Sequence, residues 1–146
     1  LLLVDIGVRG SFAIPLTAVY RLEKLKTSRI QIAQGQKIVK YDGRPLYIKL
    51  LKEELGFSQD NNVLNKDEVK VVVVKDQDSL WGFVVNDIRD IITTSSRIED
   101  YVSDRPHIMG GIEHDGKTVT LVDIYYILSG FRTEDSQPLD HRIEAA

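Results

Sequence analysis

The sequence predicts an all-β chain built from two similar β units packed side by side with short helices. Three observations carry that expectation. A strand, an Asp-Gly turn, a second strand and a helical turn occur twice, once around Asp42-Gly43 and again around Asp115-Gly116. The front halves also match: Leu1-Leu2-Leu3-Val4 followed by Phe12-Ala13-Ile14-Pro15-Leu16 resembles Val71-Val72-Val73-Val74 followed by Trp81-Gly82-Phe83-Val84-Val85. Val69 to Val74 is an unbroken β-branched run, which reads as a strand buried on both faces. The units are expected over 1–65 and 66–133, followed by a polar tail over 134–146, with terminal strands free to cross between units.

In chain order, the apolar stretch 1–6 and Phe12-Ala13-Ile14 form a hairpin around the Gly7 to Ser11 turn. Pro15 cannot donate to a ladder and belongs at a strand end. A short turn at Thr17-Ala18-Val19 feeds a strand through Tyr20-Arg21-Leu22-Glu23, and the polar stretch 28–36 is a connection with a weak strand. Ile38 to Tyr41 and Leu46-Tyr47-Ile48 make a second hairpin, because Asp-Gly supplies the positive φ of a tight two-residue turn. Leu50, Leu51, Glu54 and Leu55 suit one or two helical turns that Gly56 ends, and the polar stretch 58–62 is a linker.

In the second unit, the Asp76 to Ser79 turn returns the chain through Leu80 to Val85. Asn86-Asp87 is expected to cap a helical turn containing Ile88, before β propensity resumes at Asp90 to Thr94. Gly110-Gly111 marks a bend in a curving strand, and Asp123 caps a closing helix. Trp81 aligns with Phe12, so each is expected to close its own unit.

The 146 residues suit one domain or two small barrels sharing a core, and 42% hydrophobic residues can fill it. With 22 acidic against 19 basic residues and the basic ones scattered along the chain, no nucleic-acid footprint is expected. Cysteine is absent, which excludes disulfides and thiolate chemistry and fits a cytoplasmic setting. No apolar run reaches the roughly 20 residues that span a bilayer, so no direct membrane insertion is expected. A start directly in a strand reads as a piece of a longer protein or one stripped of a leader.

The chain offers little to catalysis. His107, His114 and His141 lack metal-ligand spacing, and Asp76 and Asp78 lack the Gly and closing Glu of a calcium loop. Ser95, Ser96 and Ser129 sit in no nucleophile elbow, and neither glycine pair forms a phosphate cradle. No cofactor is expected. Tyr125 and Tyr126 cannot both face inward on a one-sided helix, so an exposed aromatic there is a protein-contact candidate, and the same reasoning applies to Tyr41 and Tyr47.

Three stretches, Phe12 to Val19, Val39 to Leu50 and Trp81 to Ile88, together with the closing Gly111-Ile112, Asp115-Gly116-Lys117 and Val119 to Ile124, carry a family resemblance. Over roughly residues 1–131 the chain resembles the CheW-like domain of bacterial chemotaxis, found in coupling proteins and at the C-terminus of the CheA histidine kinase. The resemblance implies two five-stranded SH3-like barrels around a joint core. It implies binding to a CheW-type coupling protein and to the chemoreceptor cytoplasmic tip, with recruitment to membrane receptor arrays.

Carried onto this chain, the resemblance directs partner contacts to Val39 to Leu50 and Trp81 to Ile92, with Tyr41, Arg44, Tyr47, Lys49, Asn86 and Arg89 as candidates, and Tyr125 and Tyr126 join them as the aromatic candidates of the last helix. Lys49 before Leu50, with Tyr41 and Ser28-Arg29-Ile30, is more similar to the kinase's own non-catalytic regulatory domain than to a free coupling protein. Asp42 stands where many relatives present a basic side chain. A free-standing CheW coupling protein is the alternative, and a small metal-dependent hydrolase using His107 or His114 is the alternative from another class.

Overall fold

The structure is a computed structural model that describes residues 1–57, 62–93 and 106–131. The loop reaching Arg105, the tail, His141 and all but the last residue of the expected 58–62 linker lie outside the described residues. The strands are β1 (Leu2–Asp5), β2 (Ser11–Ile14), β3 (Arg21–Lys26), β4 (Gln31–Ala33), β5 (Gln36–Tyr41) and β6 (Arg44–Leu50), then β7 (Glu68–Asp76), β8 (Ser79–Val85), β9 (Asp87–Ile91), β10 (Ile108–His114) and β11 (Lys117–Val122). A short helix, α1 (Leu51–Glu54), follows β6, and α2 spans 124–131.

Tight turns set the hairpins. Asp42 and Gly43 have φ of 50° and 76°, and Asp115 and Gly116 have 52° and 73°, the left-handed pair that matches strand twist. Gln34 and Gly35, at 54° and 77°, form a third such turn between β4 and β5 that the sequence reading passes over, because Gln is an uncommon residue there. Gly56 ends α1 at φ 84°. Asp123 caps α2, its carboxylate accepting the Tyr126 amide at 3.1 Å.

Two sheets result, ordered β10-β11-β2-β1-β9 and β3-β7-β8-β6-β5-β4. Apart from β4 they share one plan. In the first, the β10–β11 hairpin joins β2 in parallel and β1 is flanked by β9; in the second, the β5–β6 hairpin joins β8 in parallel and β7 is flanked by β3. The repeat seen in sequence is therefore real, but its pieces are exchanged. Hairpin β1–β2 pairs with strands from the second half, and hairpin β7–β8 pairs with strands from the first. The stretches 1–65 and 66–133 are repeats in sequence and not the two sheets.

Exchange decides where the cores lie. Between the sheets is the largest cluster, with Leu2, Val4, Phe12 and Ile14 from one sheet against Val72, Val74, Trp81, Phe83 and Val85 from the other. Leu51 and Leu55 of α1 enter it, as do Ile124, Ile127, Leu128 and Phe131 of α2, the i, i+3, i+4, i+7 stripe of a one-sided helix. Phe12 and Trp81 do occupy equivalent strands, yet both point into this common layer instead of each closing its own unit. A second cluster, with Val39, Leu46, Ile48, Val71 and Val73, fills the far side of the six-stranded sheet, and a third, around Ile112 and Leu121, fills the far side of the other.

The six-stranded sheet curls until β3 meets the end of β5. There Arg21 donates to the Tyr41 hydroxyl at 3.3 Å and to Asp42 at 3.2 Å, and Tyr41 donates to Glu23 at 2.7 Å. One local expectation fails. The helical turn expected around Ile88 is absent, and β9 already begins at Asp87, because pairing with β1 satisfies the backbone there, with Val4 opposite Ile88. The bend at the glycine pair is present as a register shift between Ile108 and Gly110, where Gly110 adopts φ 149°.

Asp5 ends β1 and ties the sheet edge. Its carboxylate accepts the Gly7 amide at 2.9 Å and an Arg89 guanidinium hydrogen at 3.0 Å, and these bonds hold its pKa below the ordinary value, the Gly7 amide foremost. A lowered folded-state pKa adds stability above the carboxylate range and loses it as pH falls through that pKa. Asp5→Asn is therefore expected to lower stability at pH 7 by under about 1 kcal/mol, the scale of a partly exposed ion pair. The difference from wild type should close as pH drops below the carboxylate range, which urea titrations at several pH values would read.

Gly82 tests the packing directly. A Cβ there would lie 2.8 Å from Val71 Cγ1 and 3.1 Å from Ile48 Cδ1, inside the second cluster. Gly82→Ala should overpack that core and lower Tm by roughly 3–10 °C, measured by calorimetry. An unchanged Tm would show that the cluster has room.

Candidate docking surfaces

The chain passes between sheets at Asn86, the single residue between β8 and β9. Its amide donates to the Asp5 carbonyl at 2.8 Å, and its side chain lies against Gly7, where a Cβ would come within 2.9 Å of Asn86 Nδ2. Gly7 has φ 87°, so close approach and backbone both favour glycine. Beside this corner a cleft of about 440 Å³ runs between the sheets, lined by Asp5, Val63, Lys70, Val85, Asn86 and Asp87 among others. A smaller one of about 120 Å³ adjoins it, sharing Val63 and Asn86.

Lys70 of one sheet pairs across this cleft with Asp87 of the other, and that bond is the main reason the Asp87 carboxyl titrates below its ordinary value. Lys24 stands directly opposite Lys70 on the neighbouring strand. The walls thus mix short apolar side chains with charges of both signs, an arrangement that can grip another polypeptide. Among the described residues no group of three His, Cys, Asp or Glu is placed to hold a metal. His107 Nε2 lies 2.8 Å from the Leu55 carbonyl and His114 sits 3.5 Å from Asp115, at opposite ends of β10.

The eight sequence candidates fall in several places. Asn86 and Arg89 are exposed at the cleft corner, with Arg89 engaged by Asp5. Tyr47 and Lys49 alternate along β6 on the face turned to α2: Tyr47 stacks 4.8 Å from Trp81, and the Lys49 ammonium lies 5.0 Å from the Phe131 ring and 5.9 Å from that of Trp81. Phe131 in turn packs on Trp81, ring centres 4.6 Å apart and planes tilted by 31°. Tyr126 lines a shallow groove of about 170 Å³ with Glu54, His107, Ile127, Gly130 and Phe131. Tyr125 and Tyr126 are both exposed, because the buried stripe of α2 uses neither position.

Tyr41 does not present an exposed ring. It is buried in the second cluster, and burial, with its bond to Glu23, raises its pKa. Tyr47 is half-buried, so the first Asp-Gly turn offers no exposed aromatic. Arg44 caps the neighbouring turn by donating to the Asp78 carbonyl. These residues hold the ends of hairpins together rather than forming one patch.

Charge is more organised than the sequence reading allows. From Lys24 to Lys52 the basic residues are Lys24, Lys26, Arg29, Lys37, Lys40, Arg44, Lys49 and Lys52, against the one acid Asp42. Folding places Lys37, Lys40, Arg44 and Lys49 on β5 and β6 toward one edge of the six-stranded sheet, with Arg29 leading into β4, on a chain of net charge −3, while Lys24 and Lys26 lie on β3 at the other edge. Counting charge by segment would have found it.

The geometry fits known relatives. The structure resembles the crystal structure of the scaffolding protein TtCheW from Thermoanaerobacter tengcongensis, with a TM-score of 0.63 over 83% of this chain and 86% of that one. At 13% identity the likeness is one of fold. No curated protein sequence matches. Residues 1–132 match the family model of the CheW-like domain, and the chain belongs to that family.

Proposed function

We propose that the chain is a non-catalytic scaffold domain of a chemotaxis signalling complex, the regulatory domain of a CheA-type histidine kinase. It binds a CheW-type coupling protein and the cytoplasmic tip of a chemoreceptor in the cytoplasm, at arrays of membrane receptors. The single observation that carries this reading is the family match over residues 1–132. The cleft between the sheets supports it: built on one shared core, it offers a partner helix apolar and charged contacts on two walls at once.

The Lys49 ammonium over Phe131 and Trp81 supports a second contact, on the β6–α2 face, where a partner carboxylate would meet a cation already held on aromatic rings. A free-standing coupling protein is the second reading, favoured by the fold likeness to a scaffolding protein. A kinase regulatory domain binds the coupling protein, whereas a free coupling protein binds the kinase. Titration of this chain against each, and against a receptor-tip helical hairpin, separates the two.

On the first reading Lys49→Glu weakens coupling-protein binding at least tenfold, and Tyr126→Ala weakens it severalfold. Both side chains reach solvent, so circular dichroism should report an unchanged fold. Failure of the wild-type chain to bind any of the three partners would overturn the proposal.

A further inference from the structure

The four sheet edges are not guarded alike. Strand β3 carries Arg21, Glu23, Lys24 and Lys26, β9 carries Asp87, Arg89 and Asp90, and β10 is broken by the register shift before Gly110. Charges and bulges of this kind keep foreign strands away. Strand β4 has neither. It reads Gln31-Ile32-Ala33, every residue of it is exposed, and it pairs only with β5, so one side of its backbone is open. Ile32 at its centre is 75% exposed, the most exposed large apolar side chain among the described residues.

Cations frame this edge on both faces. Lys37 stands directly opposite Ile32 and shares its face of the sheet. Lys40, at odd spacing from Lys37 along β5, projects from the other face, and Arg29 reaches over to donate to the Lys40 carbonyl at 2.8 Å. Among the described residues none of the three pairs with an acid: Asp42, the nearest in sequence to Lys37 and Lys40, is taken by Arg21, and Glu23, the nearest to Arg29, accepts from Tyr41.

We propose that β4 accepts an extended, acidic segment of a partner protein as a further strand of this sheet. Its backbone would pair with the open side of β4, with an apolar side chain covering Ile32 and a carboxylate two positions away on the same face meeting Lys37, while carboxylates at the intervening positions meet Lys40 and Arg29 on the other face. The site is separate from the cleft and from Lys49, so it does not rest on the receptor or coupling-protein reading. A three-residue edge makes the contact weak and salt-dependent.

The probe is a fluorescein-labelled hexapeptide, Glu-Glu-Val-Glu-Glu-Glu, which sets a Val between carboxylates on one face and carboxylates alone on the other, titrated into the full chain and followed by anisotropy. Saturable binding is expected, together with amide shifts centred on residues 31–33. Ile32→Ser should weaken it severalfold and Lys37→Glu with Lys40→Glu at least tenfold, all at exposed or half-exposed positions that leave the circular dichroism unchanged. Methylating alternate backbone nitrogens of the peptide should abolish binding. No saturable binding, equal binding by the methylated peptide, or binding by phosphatidylglycerol vesicles in place of the peptide would each overturn the proposal.

Discussion

One apolar layer holds this protein together, and it belongs to neither half of the chain alone. Leu2, Val4, Phe12 and Ile14 reach it from a hairpin whose sheet neighbours come mostly from the C-terminal half, while Val72, Val74, Trp81 and Phe83 reach it from a hairpin seated among N-terminal strands. Each sheet alone would leave this face open to water, where burial of such side chains is worth about 1.5–3 kcal/mol apiece. The two helices complete the seal with Leu51, Leu55, Ile127 and Phe131.

That construction suits a scaffold. Surfaces on opposite sheets are fixed against one another through a common interior, so a contact made in the cleft and one made on the β6–α2 face report to the same packed layer. Trp81 shows the connection: its ring packs against Tyr47 of β6 and Phe131 of α2, and it shares the common interior with Phe12. Coupling between sites still requires contacts that differ between two states. The polar corner at Asn86 and the Lys70–Asp87 pair, both spanning the sheets, are where such a difference would act.

Much of this was legible in the residues. The Asp-Gly turns, four of the five hairpins, the Asp123 cap and the helix ended by Gly56 follow from local chemistry that the tertiary structure does not contest. The exchange of hairpins was not, because a repeat in sequence gives the same strands whether each pairs within its half or across it. Asn86 to Ile88 reads as a capped turn by local preference, and pairing of Asp87 and Ile88 with β1 overrides it. Burial of Tyr41 was hidden for a similar reason: only the curl of the sheet brings Arg21 and Glu23 to its hydroxyl. Among the candidate contacts, Lys49 was named from the family resemblance and the α2 tyrosines from residue type, whereas the basic residues of β5 and β6 and the open edge at Ile32 required charge by segment and strand order.

The sharpest test follows unfolding of the intact chain in urea by two signals, fluorescence of Trp81, the one tryptophan, and far-ultraviolet circular dichroism of both sheets. A shared interior built from exchanged hairpins predicts coincident curves with a single midpoint. Two separated transitions, with one sheet surviving the exposure of Trp81, would contradict it.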